Sequence, residues 1–228
     1  MTPGIDFTDC FIAIDMDRTL IDTNAFADRL PELFRLSESE TREYLDRERT
    51  ERGKEFDAYE YLAGRGVYSR TPETRDFIGL FSSRQEMARL LLPGASDLLS
   101  TLKDARLPHG IWTKGSDRYQ QLKVDVLRQL VDAPGLPVAI ISDDVGLARS
   151  KAHVVEKDWY DTSRARFLVP ASLHDRAEPL WVQTVVVIDD KPENLTHSGS
   201  VDLVTIVAAG DSLSNLAHTI RNSIKQYV

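Results

Sequence analysis

The stretch Phe11-Ile12-Ala13-Ile14-Asp15-Met16-Asp17-Arg18-Thr19-Leu20 decides how the chain is read. Four apolar residues run straight into two aspartates that flank a methionine. A short continuous apolar run reads as a strand buried on both faces. Its carboxylates then lie at the rim of a core, where charge is costly unless a partner uses it. The rest of the chain is therefore read as supplying partners for Asp15 and Asp17 and a cover over them.

Working outward, the pattern after Leu20 becomes helical and heavily charged as far as Leu92. Ser37-Glu38-Ser39-Glu40 is a capping-box pattern that opens one helix. Asp57 to Ala63 reads as a second, ended by Gly64-Arg65-Gly66. Thr71-Pro72 opens a third carrying Phe77, Ile78 and Phe81, and Ser83 with Glu86 caps a fourth. No convincing strand interrupts this block, so residues 21–92 are expected to form an inserted all-helical subdomain. Residues 1–20 and 93–228 are expected to form the α/β core. Pro93-Gly94 marks the return to it. A helix over 95–105 follows, then a strand His109 to Thr113 and an amphipathic helix over about 117–131. A third strand, Val138 to Ile141, precedes a helical stretch over about 147–161. Val185 to Ile188 and Leu203 to Val207 read as the last strands, and Asp211 or Ser212 caps a final helix. Residues 163–179 give no clear pattern.

Short apolar strands alternating with helices predict a Rossmann-like parallel sheet with helices on both faces. Ligands of such sheets bind beyond the carboxyl ends of the strands. Those ends carry Asp15 and Asp17, then Thr113, then Asp143 and Asp144, then Asp189 and Asp190. Asp143 and Asp144 read more simply as caps of the next helix. The others gather carboxylates around one hydroxyl. Two unit charges about 4 Å apart repel by roughly 4 kcal/mol at an effective dielectric near 20. A cation relieves that repulsion, and oxygen donors without a cysteine or histidine cluster favour Mg2+. Magnesium held by a few carboxylates suits phosphate chemistry.

Composition narrows the alternatives. The 228 residues carry a net charge of −8, with no basic face to favour nucleic acid or an anionic membrane. A small phosphorylated molecule remains compatible, because backbone N–H groups, a lysine or a divalent cation bind phosphate locally. The single cysteine, Cys10, precludes an internal disulfide and reads as a small buried residue. The N-terminus lacks a signal-peptide pattern, and no apolar run approaches the roughly 18 residues that span a bilayer. The expectation is a soluble cytoplasmic protein, of oligomeric state not given by the sequence.

With these residues in place, the chain resembles the haloacid dehalogenase superfamily, in its phosphatase branch with a helical cap of the first type. The resemblance rests on Asp15-Met16-Asp17-Arg18-Thr19-Leu20, on Thr113 in Ile111-Trp112-Thr113-Lys114-Gly115, on a lysine before the fourth strand, and on Val187-Ile188-Asp189-Asp190. It implies that Asp15 is the nucleophile that becomes an aspartyl-phosphate. It implies that Asp17 protonates the leaving oxygen and then takes a proton from water. The Asp17 carbonyl and the carboxylates of Asp15 and Asp189 would hold Mg2+. Thr113 and neighbouring amides, including Gly115, would bind phosphoryl oxygens, and the lysine would neutralise charge. Lys151 stands in the expected place, with Lys157 as its rival. The chain departs from the pattern at Arg18, where the family usually has glycine, and at Lys114, where a small polar residue is common. Asp190 is a candidate outer partner of the metal site, and Glu193 or Asn194 a candidate for orienting metal-bound water. The block's Arg47, Arg49, Arg52, Lys54, Arg65 and Arg70 read as ordinary helix-surface charge. Beside the phosphatase stand other reactions of the superfamily, dehalogenation and phosphomutase chemistry. Asp17 argues against the first, since displacing halide needs no acid there. A catalytically silent domain that binds a partner through its helical block is the reading from outside enzymology.

Overall fold

The structure is a computed structural model and describes residues 7–51, 58–64, 73–142, 148–199 and 201–225. Among the described residues the strands are β1 (Cys10–Ile14), β2 (His109–Lys114), β3 (Val138–Ile141), β4 (Tyr160–Asp161), β5 (Arg166–Val169), β6 (Leu180–Val182), β7 (Thr184–Asp189) and β8 (Leu203–Val207). The helices are α1 (Thr23–Leu33), α2 (Glu38–Glu51), α3 (Ala58–Gly64), α4 (Thr74–Ile78), α5 (Arg84–Met87), α6 (Ala95–Asp104), α7 (Asp117–Leu130), α8 (Lys151–Val154) and α9 (Ser212–Lys225).

The main sheet is wholly parallel, in the order β3-β2-β1-β7-β8. The apolar run that opened the reading lies at its centre. All five residues of β1 are buried, and their alternation divides the core into two. Ile12 and Ile14 face a cluster built with α6, α7, α9 and the helical block. Phe11 and Ala13 face a second cluster with Trp112, Val155, Trp159, Phe167 and Val182. The chain leaves β1 outward through β2 and β3, then returns on the other side through β7 and β8. The gap where this order reverses lies beside β1, so the crevice at its carboxyl end is the place where such sheets bind ligands.

The described part of the block between β1 and α6 is helical. Its two chain passages are tied together at the neck. Ile21 pairs antiparallel with Leu91, Asp22 N–H donates to the Leu90 carbonyl at 2.8 Å, and Leu92 N–H donates to that of Leu20 at 2.9 Å. The Ser37–Glu40 box forms: Ser37 N–H donates to Glu40 Oε2 at 2.8 Å and Glu40 N–H to Ser37 Oγ at 3.4 Å. The expected Thr71-Pro72 cap and most of Gly64-Arg65-Gly66 lie outside the described residues, as do Arg52, Lys54, Arg65 and Arg70. The box that opens α4 is instead Glu73 with Asp76, whose Oδ2 accepts from Glu73 N–H at 2.8 Å.

Two corrections fall between β3 and β7. The helix expected as far as residue 161 is short. It begins as α8, widens to a π-type turn over Val155–Trp159, and gives way to β4 because Tyr160 and Asp161 pair with Phe167 and Arg166. The unreadable segment contains β5, which with β4 and β6 makes a three-stranded antiparallel sheet. Its inward residues Phe167, Val169 and Val182 cover the second core cluster.

Candidate active site

Register creates the site. Ile14 pairs with Ile188, so the next residues, Asp15 and Asp189, emerge side by side at the carboxyl edge. Asp15 N–H still donates to the Ile188 carbonyl at 2.8 Å, which holds the two backbones together there. Across β1 on its other side, β2 ends in Thr113 and Lys114.

Lys151 opens α8, is 1% exposed, and lies between the two carboxylates. Its Nζ donates to Asp15 Oδ1 and lies 2.9 Å from Asp189 Oδ2. Burial disfavours the ammonium, yet Asp15 and Asp189 outweigh it and hold the Lys151 pKa above the ordinary lysine value. Burial acts in the same direction as repulsion from Asp189 and Asp17 at Asp15, and the pull of Lys151 does not cancel them. The Asp15 carboxyl is pushed up to about 7. Lys157 is exposed on the π-type turn and does not touch Asp15.

Asp189 is fully buried and well supplied with donors. Lys191 N–H reaches its Oδ1 at 2.9 Å, and the Asn194 amide reaches Oδ1 and Oδ2 at 3.0 and 3.1 Å. Asn194 thus orients a carboxylate directly. Glu193 precedes it in the short 3-10 turn over Pro192–Leu195. Asp190 forms an ion pair with Arg18, Nε to Oδ2 3.1 Å. Arg18 has φ +58°, the left-handed region that a side chain disfavours. That is a physical reason for glycine at this turn in the family pattern.

Asp15, Asp189 and Asp190 each offer an oxygen within 4.8 Å of the others. The donors are all carboxylate, and no cysteine or histidine joins them among the described residues. This set fits a hard divalent cation such as Mg2+.

Two residues that the sequence did not single out complete the edge. Both lie on α7. Lys123, 1% exposed, places Nζ 2.5 Å from Asp17 Oδ1 and 2.7 Å from Oδ2. Gln120 is also buried, and its Nε2 donates to Asp17 Oδ2 at 2.8 Å and to the Lys114 carbonyl at 2.8 Å. Its Oε1 accepts from Thr113 Oγ1 at 3.3 Å. Thr23 Oγ1 adds a bond to Asp17 Oδ1 at 2.9 Å. Burial favours the neutral acid at Asp17, but the Lys123 charge and the bonds from Lys123, Gln120 and Thr23 prevail. The Asp17 pKa lies below the ordinary carboxylate value. The signal was present in the pattern. Lys123 stands four residues after Tyr119, three before Val126 and four before Leu127, inside the apolar stripe of an amphipathic helix.

Gly115 turns the chain from β2 into α7 at φ +144°, and a Cβ there would lie 2.3 Å from Gln120 Nε2. Glycine is therefore what lets Gln120 reach Asp17. Lys114 donates from Nζ to the Arg149 carbonyl. Burial, then the nearby Lys151 charge, lowers its pKa. Asp143 and Asp144 lie outside the described residues.

A cleft of about 670 Å³ opens between the helical block and α7, lined by Tyr59, Thr74, Asp117, Arg118, Gln121 and Asp125 among others. A smaller cavity, about 360 Å³, lies at the opposite end of the strands beside Cys10, Pro108 and Trp181, away from the carboxylates.

No family model matches the chain, and no curated protein matches it in sequence. Solved structures do match in shape. A haloacid dehalogenase-like hydrolase of Burkholderia xenovorans LB400 superposes with a TM-score of 0.51 at 18% identity, over 90% of this chain and 85% of the other. The DsGPDH structure of Dunaliella salina superposes with a TM-score of 0.50 at 17% identity, over 86% of this chain and 31% of that longer one. The fold is that of the haloacid dehalogenase-like hydrolases.

Proposed function

We propose that this chain is a magnesium-dependent phosphatase that hydrolyses a small phosphorylated metabolite through an aspartyl-phosphate on Asp15. The observation that carries the reading is the grouping of Asp15, Asp189 and Lys151 at the sheet edge, with Asp17 tied to the Thr113–Gly115 segment beside them. Phosphoryl transfer needs positioning and charge neutralisation above all. In the first step an Asp15 oxygen attacks phosphorus, the bond to the leaving oxygen breaks, and Asp17 delivers a proton to that oxygen. In the second step water attacks the aspartyl-phosphate, Asp17 takes its proton, and inorganic phosphate leaves. The depressed pKa of Asp17 favours the carboxylate that the second step uses, and the proton it takes there is the one it delivers in the next first step. Lys151 balances charge on Asp15 and on the phosphoryl group. Thr113 and the amides after it would bind the phosphoryl oxygens. Asp15, Asp189 and the Asp17 carbonyl would hold Mg2+, which supplies charge neutralisation at the transferring phosphoryl group.

The chemistry expected of this edge is hydrolysis of an aryl phosphate that requires added Mg2+ and is abolished in Asp15→Asn with the fold intact. Absence of turnover across a panel of phosphate esters with Mg2+, or wild-type turnover by Asp15→Asn, would overturn the assignment.

A further inference from the structure

We propose that Lys123 is a positioning residue for Asp17, which it fixes at the mouth of the site from the face of α7 that contacts the helical block. The inference rests on the acid/base work given to Asp17 above.

A carboxylate has about four lone-pair sites. At Asp17, Oδ1 receives Thr23 and Lys123, and Oδ2 receives Gln120 and Lys123. Its orientation is thus over-determined, and two of the four contacts come from a single ammonium. Lys123 also lies 4.2 Å from the Tyr119 ring centroid. Tyr119 in turn stacks on Tyr59 of α3, with centroids 6.3 Å apart, and meets Phe26 of α1 edge-on at 6.0 Å. A lysine buried to this degree is costly without such partners. The Asp17 carboxylate is its only anionic contact among the described residues. Surface solubility does not account for it, because it is not on the surface. Packing alone does not account for it either, because a leucine or methionine would fill an apolar stripe without a charge. What the charge does here is hold one carboxylate in one place. Gln120, one turn earlier, links the same carboxylate to Thr113 and Lys114.

The test compares wild type, Lys123→Met, Asp17→Asn and the double variant. Each is assayed with Mg2+ in a single turnover that reads release of the leaving group, and so the first step alone, on p-nitrophenyl phosphate, whose leaving group needs little protonation, and on a simple alkyl phosphate, whose leaving group needs it. Loss of a positioned acid costs about 100-fold or more on the alkyl ester. Lys123→Met is expected to lose about that factor on the alkyl ester and no more than about threefold on the aryl ester. Asp17→Asn is expected to show the same split, and the double variant to add nothing to it. Equal losses on both esters, or losses that multiply in the double variant, would mean a merely structural lysine and overturn the proposal. If Lys123→Met does not fold, Lys123→Gln carries the same comparison. If the wild type hydrolyses neither ester, the phosphatase reading falls, and positioning is decided by a crystal structure of the lysine variant. There the Asp17 carboxylate is expected to leave Gln120 Nε2, and its persistence at that position would refute the role of Lys123.

Discussion

At the scale of single residues, the site is an arrangement of opposed protonation states. Asp15, with its pKa raised to about 7, binds a proton in the fold that it has released in the unfolded chain above pH 4. Between about pH 4 and about pH 7 the folded state therefore holds more protons, and stability falls as pH rises through that window. In metal-free protein, Asp15→Asn should flatten this dependence in denaturant unfolding, removing a change on the order of a few kcal/mol across the window. Added Mg2+ should raise the wild-type melting temperature at pH 8 and lose that effect toward pH 5, where protons compete for Asp15. Lys151→Met leaves two buried carboxylates without their cation and should cost about 3–5 kcal/mol in denaturant unfolding without metal. Arg18→Gly should stabilise by about 1 kcal/mol, because the turn at φ +58° suits glycine and the arginine of the ion pair it loses is half exposed. Asp15, Thr113 and Asp189 were legible as neighbours because they stand at strand ends, where topology alone sends them to one edge, whereas Lys151 was reached only through the resemblance, with Lys157 as its rival. Lys123 and Gln120 were passed over because helix charge faces solvent in most proteins, although the apolar stripe of α7 marks the Lys123 face as the inner one.

Among the elements, the turn from β2 to α7 is tightly constrained. Gly115→Ala adds a carbon 2.3 Å from the Gln120 amide at a φ that side chains avoid, and should cost more than about 1 kcal/mol. It should also displace Gln120 from Asp17, visible as a changed amide environment in a crystal structure. The central strands β1 and β7 were readable because burial on both faces leaves an unbroken apolar run, and the half-buried edge strands β3 and β8 because they are short apolar runs between helices. Strands β4, β5 and β6 were not. Two to four residues long, they carry half-buried Arg166 and Trp181 and exposed Leu168 beside buried Phe167 and Val169, and their identity as strands comes from pairing with each other. The π-type turn that ends α8 likewise has no marker in composition. It follows from the demand that Trp159 enter the second core while Tyr160 begins β4.

For the whole molecule, the helical block and the sheet share one apolar cluster, from Tyr44, Tyr59 and Phe77 through Tyr119 to Ile14 and Ile188. Phe26 stacks on Phe77 with centroids 4.3 Å apart. A shared core predicts a single cooperative transition, so near- and far-ultraviolet circular dichroism should melt together, and Phe77→Ala should lower both by about 3–5 kcal/mol of stability. Two separated transitions would contradict the shared core. The neck has a consequence of another kind. Leu20 and Leu92, far apart in sequence, are one hydrogen bond apart in space. A recombination breakpoint at each would remove the whole block and leave the ends already abutting. The carboxylate edge could then be transplanted under a foreign lid with no linker to design, provided the newcomer brings aromatic cover for Tyr119.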